Sequence, residues 1–552
     1  MEIQSYHIFL FPFRWDYKKD NRELRDIKWS ERVDIDEIIK VFESNKIWQR
    51  DQLSFNSPEE FNSSGYFYEF VDDAIFDEKN DSRESKQNEK IVYSYKLKLD
   101  NQKSSSYVID ILKSDPVDEK KTISLHYELL VEHIRLNIYN TGIAILSFHL
   151  TNINYSSHED ILRINDYGRR IYPQFLSTEP EDKDNLVDVT KRAFLADKIR
   201  IHLHIENNNP IEEKENFSHY LQPDTLKSNP FTLPRHISCL LGDRFKVRDP
   251  QTGDFLIKWL LDDRMFVISW HGNNAISKEL CCSKFLEDQR TFEYNYQDNP
   301  LWHEYIFIDQ DYSTCQHKEM NRTLLNAHTY GRWADYGTLF GISRYSFIII
   351  SQNNDYTRNV LPLPHLKSMY FQMIRLCLAQ RASILRFSNE VTVISSFRGN
   401  PLETTELISS LTREYLKFVN KMYFREVTAQ EQGIEIYDLI QEFMRIERDV
   451  KDLNREIDEL YQYATILEDR VQTKKINQLN LIALLFLPIT VFTGILGMNT
   501  MPEIEYLPKC LFSEVAFWPF WISIIAVIII SFGILMFFNW KMKLGLFNKR
   551  SK

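Results

Sequence analysis

The chain has 552 residues, a net charge of −11 at neutral pH, 43% hydrophobic residues and 14% aromatic residues. This length allows two or three domains, and the aromatic content excludes a disordered chain. The acidic balance excludes a general nucleic-acid binder, so no direct nucleic-acid partner is expected. The six cysteines form no C-x-x-C pair, which argues against zinc-ribbon and thioredoxin-type sites.

Residues 1–360 alternate between strand and helix patterns, which predicts a mixed α/β domain. The turn Asn140-Thr141-Gly142 predicts a hairpin, and Ser157 predicts the N-cap of a helix over 158–168. Strands are predicted at 6–15, 91–99, 106–113, 122–139, 143–150, 199–205, 255–270 and 346–351. Polar composition predicts loops at 77–90, 178–184 and 207–234.

From residue 361 to residue 475 the pattern is helical. Helices are predicted over 366–390 and 402–428, separated by the helix-breaking pair Asn400-Pro401. A third helix has apolar residues at alternating spacings of 3 and 4 from Ile436 to Val471, which predicts an unbroken coiled-coil stalk about 54 Å long. We expect this stalk to continue directly into the apolar segment that follows, as one helix of roughly 95 Å.

Two uncharged segments come next, each near the ~20 residues that an α-helix needs to cross a bilayer. Basic residues precede the first segment and follow the second, whereas the loop between them is acidic. Since lysine and arginine favour the cytoplasmic side, both termini are expected in the cytoplasm of a plasma (inner) membrane protein. The predicted parts are span 1 at 476–498, an external loop at 499–515, span 2 at 516–540 and a basic tail at 541–552.

The end of span 1 carries a recognisable motif. Gly497-Met498-Asn499 is followed closely by Met501-Pro502-Glu503, and Leu487-Pro488-Ile489-Thr490 lies within the span. With two C-terminal spans and a charged tail, this arrangement resembles the CorA family of magnesium channels. The resemblance implies a homopentamer in the lipid bilayer, with the first span of each subunit around a central pore and a ring of Asn499 side chains at its outer mouth.

The chemistry of the residues agrees with this resemblance. Mg²⁺ releases its water reluctantly, so neutral amide oxygens of Asn499 suit the hydrated ion through outer-sphere hydrogen bonds. Helical spacing also predicts a pore-lining stripe whose apolar rings could gate by dewetting. Periodicity leaves open whether this stripe packs on span 2 or lipid instead; the resemblance favours the pore. The stripe consists of Ile476, Leu479, Ala483, Leu487, Thr490 and Gly494.

Residues 330–345, YGRWADYGTLFGISRY, combine three glycines with two arginines and several aromatic rings. Glycine lets a ligand approach the backbone, arginine binds phosphate or carboxylate, and aromatic faces stack on bases. A second basic cluster follows the helix at 158–168. The candidate ligand-binding residues are Arg332, Trp333, Thr338, Ser343, Arg344, Asn165, Arg169 and Arg170; the alternative is a tight structural turn with solvated arginines.

Two functional hypotheses result. The first is constitutive transport of divalent cations, chiefly Mg²⁺, with Mg²⁺ feedback. The second rests on the enlarged N-terminal domain and the 330–345 segment, which resemble the CRISPR-associated branch of CorA-like proteins. That resemblance implies an antiviral membrane effector gated by an S-adenosylmethionine–AMP adduct, with binding lost on Arg332→Ala. An enzyme is disfavoured, since the sequence has no P-loop, HExxH or G-x-S-x-G motif.

Overall fold

The computed structural model describes most of the chain up to Gly497. The residues described are 2–497 except 25–26, 54–57, 78–89, 115–121, 175, 177–189, 191–192, 222–231, 288–289, 311–312 and 397–399, together with Ile525, Ile529, Gly533 and Met536. They form two compact units, Met1–Arg398 with Glu406–Leu460 and Gly399–Thr405 with Tyr461–Lys552. The predicted loop at 178–184, the external loop and the basic tail lie outside the described residues.

The strands belong almost entirely to the N-terminal region. They are β1 (Ser5–Tyr17), β2 (Trp48–Arg50), β3 (Val92–Leu97), β4 (Ser106–Ser114), β5 (Thr122–Tyr139), β6 (Ile143–Asn152), β7 (Lys198–Leu203), β8 (Ile211–Asn216), β9 (Phe245–Lys246), β10 (Phe255–Trp259), β11 (Phe266–Gly272), β12 (Ser283–Leu286), β13 (Thr291–Tyr294), β14 (Thr329–Tyr330), β15 (Leu339–Ile342) and β16 (Ser346–Ser351).

Fourteen of these strands form one sheet in the order β14-β15-β16-β11-β1-β6-β5-β4-β7-β8, with β10 and β9 joined to β1 and with β3 and β2 joined to β5. The remaining two, β12 and β13, form a separate hairpin. Most pairs are antiparallel, whereas β11 with β16 and β9 with β10 are parallel. β1 lies at the centre and pairs with β6 from Ser5↔Asn152 to Arg14↔Ile143. All ten residues of β6 are buried, as expected of a strand covered on both faces.

Helices alternate with the strands in the N-terminal region, and the described elements after β16 are all helical. They are α1 (Trp29–Arg32), α2 (Ile35–Ser44), α3 (Pro58–Gly65), α4 (Glu69–Ile75), α5 (His158–Gly168), α6 (Arg235–Leu241), α7 (Asn274–Leu280), α8 (Pro300–Phe307), α9 (Lys318–His328), α10 (Asp355–Asn359), α11 (Leu363–His365), α12 (Phe371–Ser395), α13 (Pro401–Lys421), α14 (Glu431–Met444) and α15 (Ile446–Gly497). A π-helical turn, Leu366–Tyr370, leads into α12.

Alternate side chains of β1 meet helices on opposite faces of the sheet. His7 points to one face, where its Nδ1 lies 2.7 Å from Oδ1 of Asn165 on α5. Tyr6 points to the other face, where it bonds to His149 of β6. The His149 ring packs 4.6 Å from the Phe371 ring of α12. The central strands are therefore enclosed between α5 and α12, which explains their continuous apolar sequences.

The predicted α/β region is confirmed, including the hairpin at Gly142 and the helix that Ser157 caps through a 3.2 Å bond from the Asp160 amide. Two predictions for this region are wrong. The strand at 255–270 is two strands, since a left-handed residue, Asp262, turns the chain between β10 and β11. Both then pair in succession along the same edge of β1. The predicted loop at 207–234 contains β8, an outer strand. Its sequence is mostly charged, so it lacks the apolar residues from which a strand is predicted.

The helical region departs from prediction at two points. α13 ends at Lys421 rather than 428, because the Met422 carbonyl accepts a bond from Gln380 and the Val427 carbonyl accepts one from Tyr68. The stalk is broken at Arg445, whose φ of 60° and ψ of 28° are left-handed. The seam from Ile436 to Val471 is therefore not one helix. Continuity into the apolar segment is confirmed, since α15 runs unbroken from Ile446 to Gly497.

Candidate functional site

The predicted pore-lining stripe lies on α15. Ile476, Leu479 and Leu487 are 54%, 64% and 61% exposed. Ala483, Thr490 and Gly494 are also exposed, and the Thr490 hydroxyl donates to the Phe486 carbonyl at 2.7 Å. The stripe is thus a continuous exposed surface on the described chain.

The predicted membrane spans are described only in part. Among the described residues, no helix combines the length and the apolarity that crossing a bilayer requires. Gly497 is the last residue of α15, and Met498 and Asn499 lie outside the described residues. So does span 2, apart from Ile525, Ile529, Gly533 and Met536.

The basic residues that follow α5 have partners inside the protein. Arg169 is almost fully buried and donates to Asp166 at 3.0 Å and to the Ile308 carbonyl at 3.3 Å. Arg170 pairs with Asp166 at 3.1 Å and also with Asp263. Burial lowers the pKa of Arg169 to about 10. This predicted cluster is therefore anchored by carboxylates rather than extended into solvent, and Asn165 is buried with it.

Backbone pairing brings that cluster next to the end of the 330–345 segment. The amide of Met265 donates to the Arg169 carbonyl at 2.8 Å, and the amide of Val267 donates to the Tyr345 carbonyl at 3.0 Å. The Arg264 guanidinium lies 5.5 Å from the centre of the Tyr345 ring. The strands therefore place residues 169–170 beside Tyr345.

The other side of Tyr345 faces α12. The Arg381 guanidinium lies 5.0 Å from the Tyr345 ring centre, and its Nη1 donates to the Arg344 carbonyl at 2.6 Å. Burial, followed by repulsion from Arg344, lowers the pKa of Arg381 to about 10. Among the described residues, neither Arg344 nor Arg381 has a carboxylate within ion-pair distance. The arginine cluster is defined as Arg264 and Arg381, whose guanidinium groups lie against Tyr345, together with the neighbouring Arg169, Arg170 and Arg344.

The first half of the 330–345 segment has a different environment. Arg332 pairs with Glu435 of α14 at 2.6 Å and lies 5.8 Å from the Trp333 ring centre. Thr338 is buried, and its amide donates to the Trp333 carbonyl at 3.1 Å. Arg332 therefore contacts α14, whereas the backbone carbonyl of Arg344 contacts α12.

Ser343, near the end of the segment, forms a hydrogen bond within the turn between β15 and β16. Its hydroxyl lies 2.5 Å from the Ser346 hydroxyl, and both residues are buried. Ser343 therefore stabilises the connection between β15 and β16 directly before the arginine cluster.

Two features of the site were not predicted. The first is the contribution of Arg264 and Arg381, which belong to no local sequence motif. An arginine in the middle of the apolar helix α12 was a possible signal for Arg381.

The second feature is the elbow, the left-handed break at Arg445 between α14 and α15. A cleft of about 1010 Å³ opens beside it, with a lining that is mainly charged and polar: Tyr423, Phe424, Arg425, Asp438, Gln441, Glu442, Arg445, Glu447, Arg448, Val450, Lys451 and Asn454.

The comparisons with known proteins bear on the C-terminal part of the chain. Residues 390–542 match the family model described as CorA-like Mg²⁺ transporter protein. The match takes in less than a third of the chain, from the last turns of α12 through α15 and the Gly497-Met498-Asn499 tripeptide. It supports a CorA-like part and transport of divalent cations. Neither a curated protein nor a solved structure matches the chain.

Proposed function

We propose that this chain is one subunit of a CorA-type homopentameric channel for divalent cations, with Mg²⁺ as the principal ion. The observation that carries the proposal is that the CorA-like match includes α15 and the tripeptide that begins at its last residue, Gly497. In this proposal α15 lines the pore, and both termini lie in the cytoplasm. The N-terminal sheet, which precedes the match, is the regulatory part.

The exposed side chains of α15 support a membrane location. Besides the stripe itself, Ile482 and Leu484 are exposed, and they lie on opposite sides of the stripe around the helix. A helix that is apolar on several sides needs lipid or other chains around it. Five copies in a bilayer would supply both surroundings.

Ion selection is assigned to Asn499. A ring of neutral amide oxygens can bond the water shell of Mg²⁺ without removing it, which suits an ion that dehydrates reluctantly. No aspartate or glutamate lies between Asp469 and Glu503, so the span offers no carboxylate ring. A membrane potential of 100 mV would drive a divalent ion inward by about 4.6 kcal/mol.

Regulation is assigned to the contacts between the sheet and the helices. α12 packs on β1 and β6, and Gln380 of α12 accepts a 2.7 Å bond from Gln441 of α14. α14 ends at the elbow, directly before α15. A conformational change at the sheet can therefore be transmitted through α12 and α14 to α15, the proposed pore helix.

Flux into proteoliposomes tests the channel proposal. The wild type should admit Mg²⁺ down an imposed potential, and Asn499→Ala should abolish the flux while the matched control Asn208→Ala, an amide at an exposed turn, leaves it unchanged. Equal flux in Asn499→Ala and wild type would contradict the proposal, as would particles without five copies of α15 around one axis.

The arginine cluster favours a second candidate, a channel gated by a nucleotide. Arg344 and Arg381 are cationic, lie next to Tyr345 and have no carboxylate partner in the described part of the chain. Arginine with an aromatic ring suits a phosphate joined to a base. In this candidate the ligand is the S-adenosylmethionine–AMP adduct implied by the CRISPR-associated branch.

Calorimetric titration of the full chain in detergent with that adduct and with AMP separates the two candidates. A gated effector should bind one of them saturably and lose binding in Arg344→Ala. The ion pair of Arg332 with Glu435 changes the expectation given above for Arg332→Ala: this variant should keep binding, and it serves as the control. If neither ligand binds and Mg²⁺ flux needs no ligand, the constitutive channel stands and the gated one fails.

A further inference from the structure

A pair of histidines lies on the outer part of the sheet, away from the arginine cluster. His202 is on β7, and His204 follows the strand two residues later. The intervening Leu203 is buried, as are Ile199 and Ile201. Because side chains alternate along a strand, this burial directs both imidazoles to the opposite, open face. Their Nε2 atoms lie 2.8 Å apart.

A carboxylate orients the first imidazole. β7 pairs with β8 so that His202 lies opposite Glu212, and Glu212 Oε1 lies 2.9 Å from His202 Nδ1. A hydrogen bond from Nδ1–H to the carboxylate leaves the Nε2 lone pair of His202 free to accept. That lone pair points to His204, whose backbone amide is held by Ser105 Oγ at 3.0 Å.

We propose that His202 and His204 bind a borderline transition-metal ion such as Zn²⁺ through their Nε2 atoms. Imidazole suits such ions, and a carboxylate on the far nitrogen of a ligating histidine is the usual supporting arrangement. Two nitrogens roughly 2.0–2.1 Å from a tetrahedral ion are about 3.3 Å apart, so the observed separation must widen by about 0.5 Å. Without metal, His204 Nε2–H donates to His202; with metal, that proton moves to Nδ1 of His204.

The surroundings define the kind of site. Within the described residues, no group of three or more His, Cys, Asp or Glu side chains is arranged to hold a metal, so water would complete the coordination. The His202 side chain is 39% exposed, which gives an ion and its waters access. The cation nearest along the strand, Arg200, is paired with Asp110 at 3.0 Å, so its charge is offset.

Competition with a chromogenic zinc chelator tests the site on the full chain in detergent. Excess Mg²⁺ is included, since it prefers oxygen ligands and occupies the proposed pore without competing at imidazole. The wild type should withdraw one Zn²⁺ per chain from the chelator. His204→Ala should weaken Zn²⁺ binding at least tenfold, and Glu212→Gln should weaken it about tenfold.

Two controls make the result specific. His126→Ala removes an imidazole that is bonded to Asp110 instead, and Asn499→Ala removes the proposed pore ligand; both should keep wild-type Zn²⁺ affinity. His204→Gln repeats the test with a side chain of similar size. The proposal is overturned if His204→Ala and His204→Gln bind Zn²⁺ as the wild type does, or if the wild type withdraws none.

Discussion

Arg386 of α12 and Asp16 of β1 form a fully buried ion pair with Nη2 and Oδ1 2.7 Å apart. Arg386 also donates to the carbonyl of Trp15 at 2.7 Å and to that of Gly142. Arg32 joins the network by contacting Asp16 and Glu390. The pair therefore fastens the helix that we assign to signal transmission onto the central strand of the sheet.

Removing the carboxylate should destabilise the fold strongly. Asp16→Asn leaves the Arg386 charge buried with no ion-pair partner at that position, which costs about 3–5 kcal/mol in similar buried pairs. Chemical unfolding followed by tryptophan fluorescence measures the change. Asp20→Asn is the control, since Asp20 pairs with Arg22 at the surface and should change little. A loss below about 1 kcal/mol in Asp16→Asn would contradict the role given to the pair.

The same pair predicts a pH dependence. Burial alone would raise the pKa of Asp16, but Arg386, Arg32 and Arg14 hold it below its usual value of 3.8. Because the folded-state pKa is lowered, the stabilisation is complete above the unfolded value and is lost as pH falls through the folded one. The stability difference between wild type and Asp16→Asn should be largest at neutral pH and shrink below about pH 3.8. A difference that grows with acidity would refute this assignment.

The elbow predicts an unusual substitution pattern at Arg445. Its backbone is left-handed, a conformation that costs roughly 1–2 kcal/mol for residues with a β-carbon and more for β-branched ones. Arg445→Gly should stay within about 1 kcal/mol of wild type, and Arg445→Val should lose about 1–2 kcal/mol or more. Arg448→Val, inside α15, is the control and should cost only about 0.5 kcal/mol. Thermal unfolding ranks the stabilities of the three variants. Equal losses of stability in Arg445→Val and Arg448→Val would argue against a left-handed elbow.

Gly341 should resist substitution because of packing. A β-carbon there would lie 2.5 Å from Ile306 Cγ1 and 3.2 Å from the Trp302 ring, so Gly341→Ala should cost about 1–3 kcal/mol. Gly65→Ala is the control, since no neighbouring atom of the described residues lies within 4 Å of its added β-carbon. Unfolding midpoints measure both. If Gly341→Ala is neutral, close packing is not what requires this glycine.

The pore stripe makes a functional prediction at Leu487. If apolar rings close the pore by excluding water, Leu487→Asn should raise the resting leak of cations in proteoliposomes. Ile482→Asn places the same amide about 140° around the helix and should leave the leak unchanged. Equal leak in both variants would indicate that Leu487 does not face the pore.

The sequence was most informative where one local pattern dominates. The buried strands β1 and β6, the Ser157 cap and the continuity of α15 were predictable from composition and spacing. The break at Arg445 was not, because the apolar spacing of 3 and 4 continues across it while one backbone torsion changes. The arginine cluster was half predictable: Arg169, Arg170 and Arg344 were identified, but their convergence with Arg264 and Arg381 depends on long-range strand pairing.

The acidic outer strand β8 has a consequence for assembly. An outer strand carries unpaired N–H and C=O groups that can recruit a strand of a neighbouring molecule. Residues 211–216 read IEEKEN, and like charges would repel a second copy approaching edge to edge. If five copies assemble beneath a membrane as proposed, their sheets would collide often, and the charges of this strand would then protect against fibril-like aggregation.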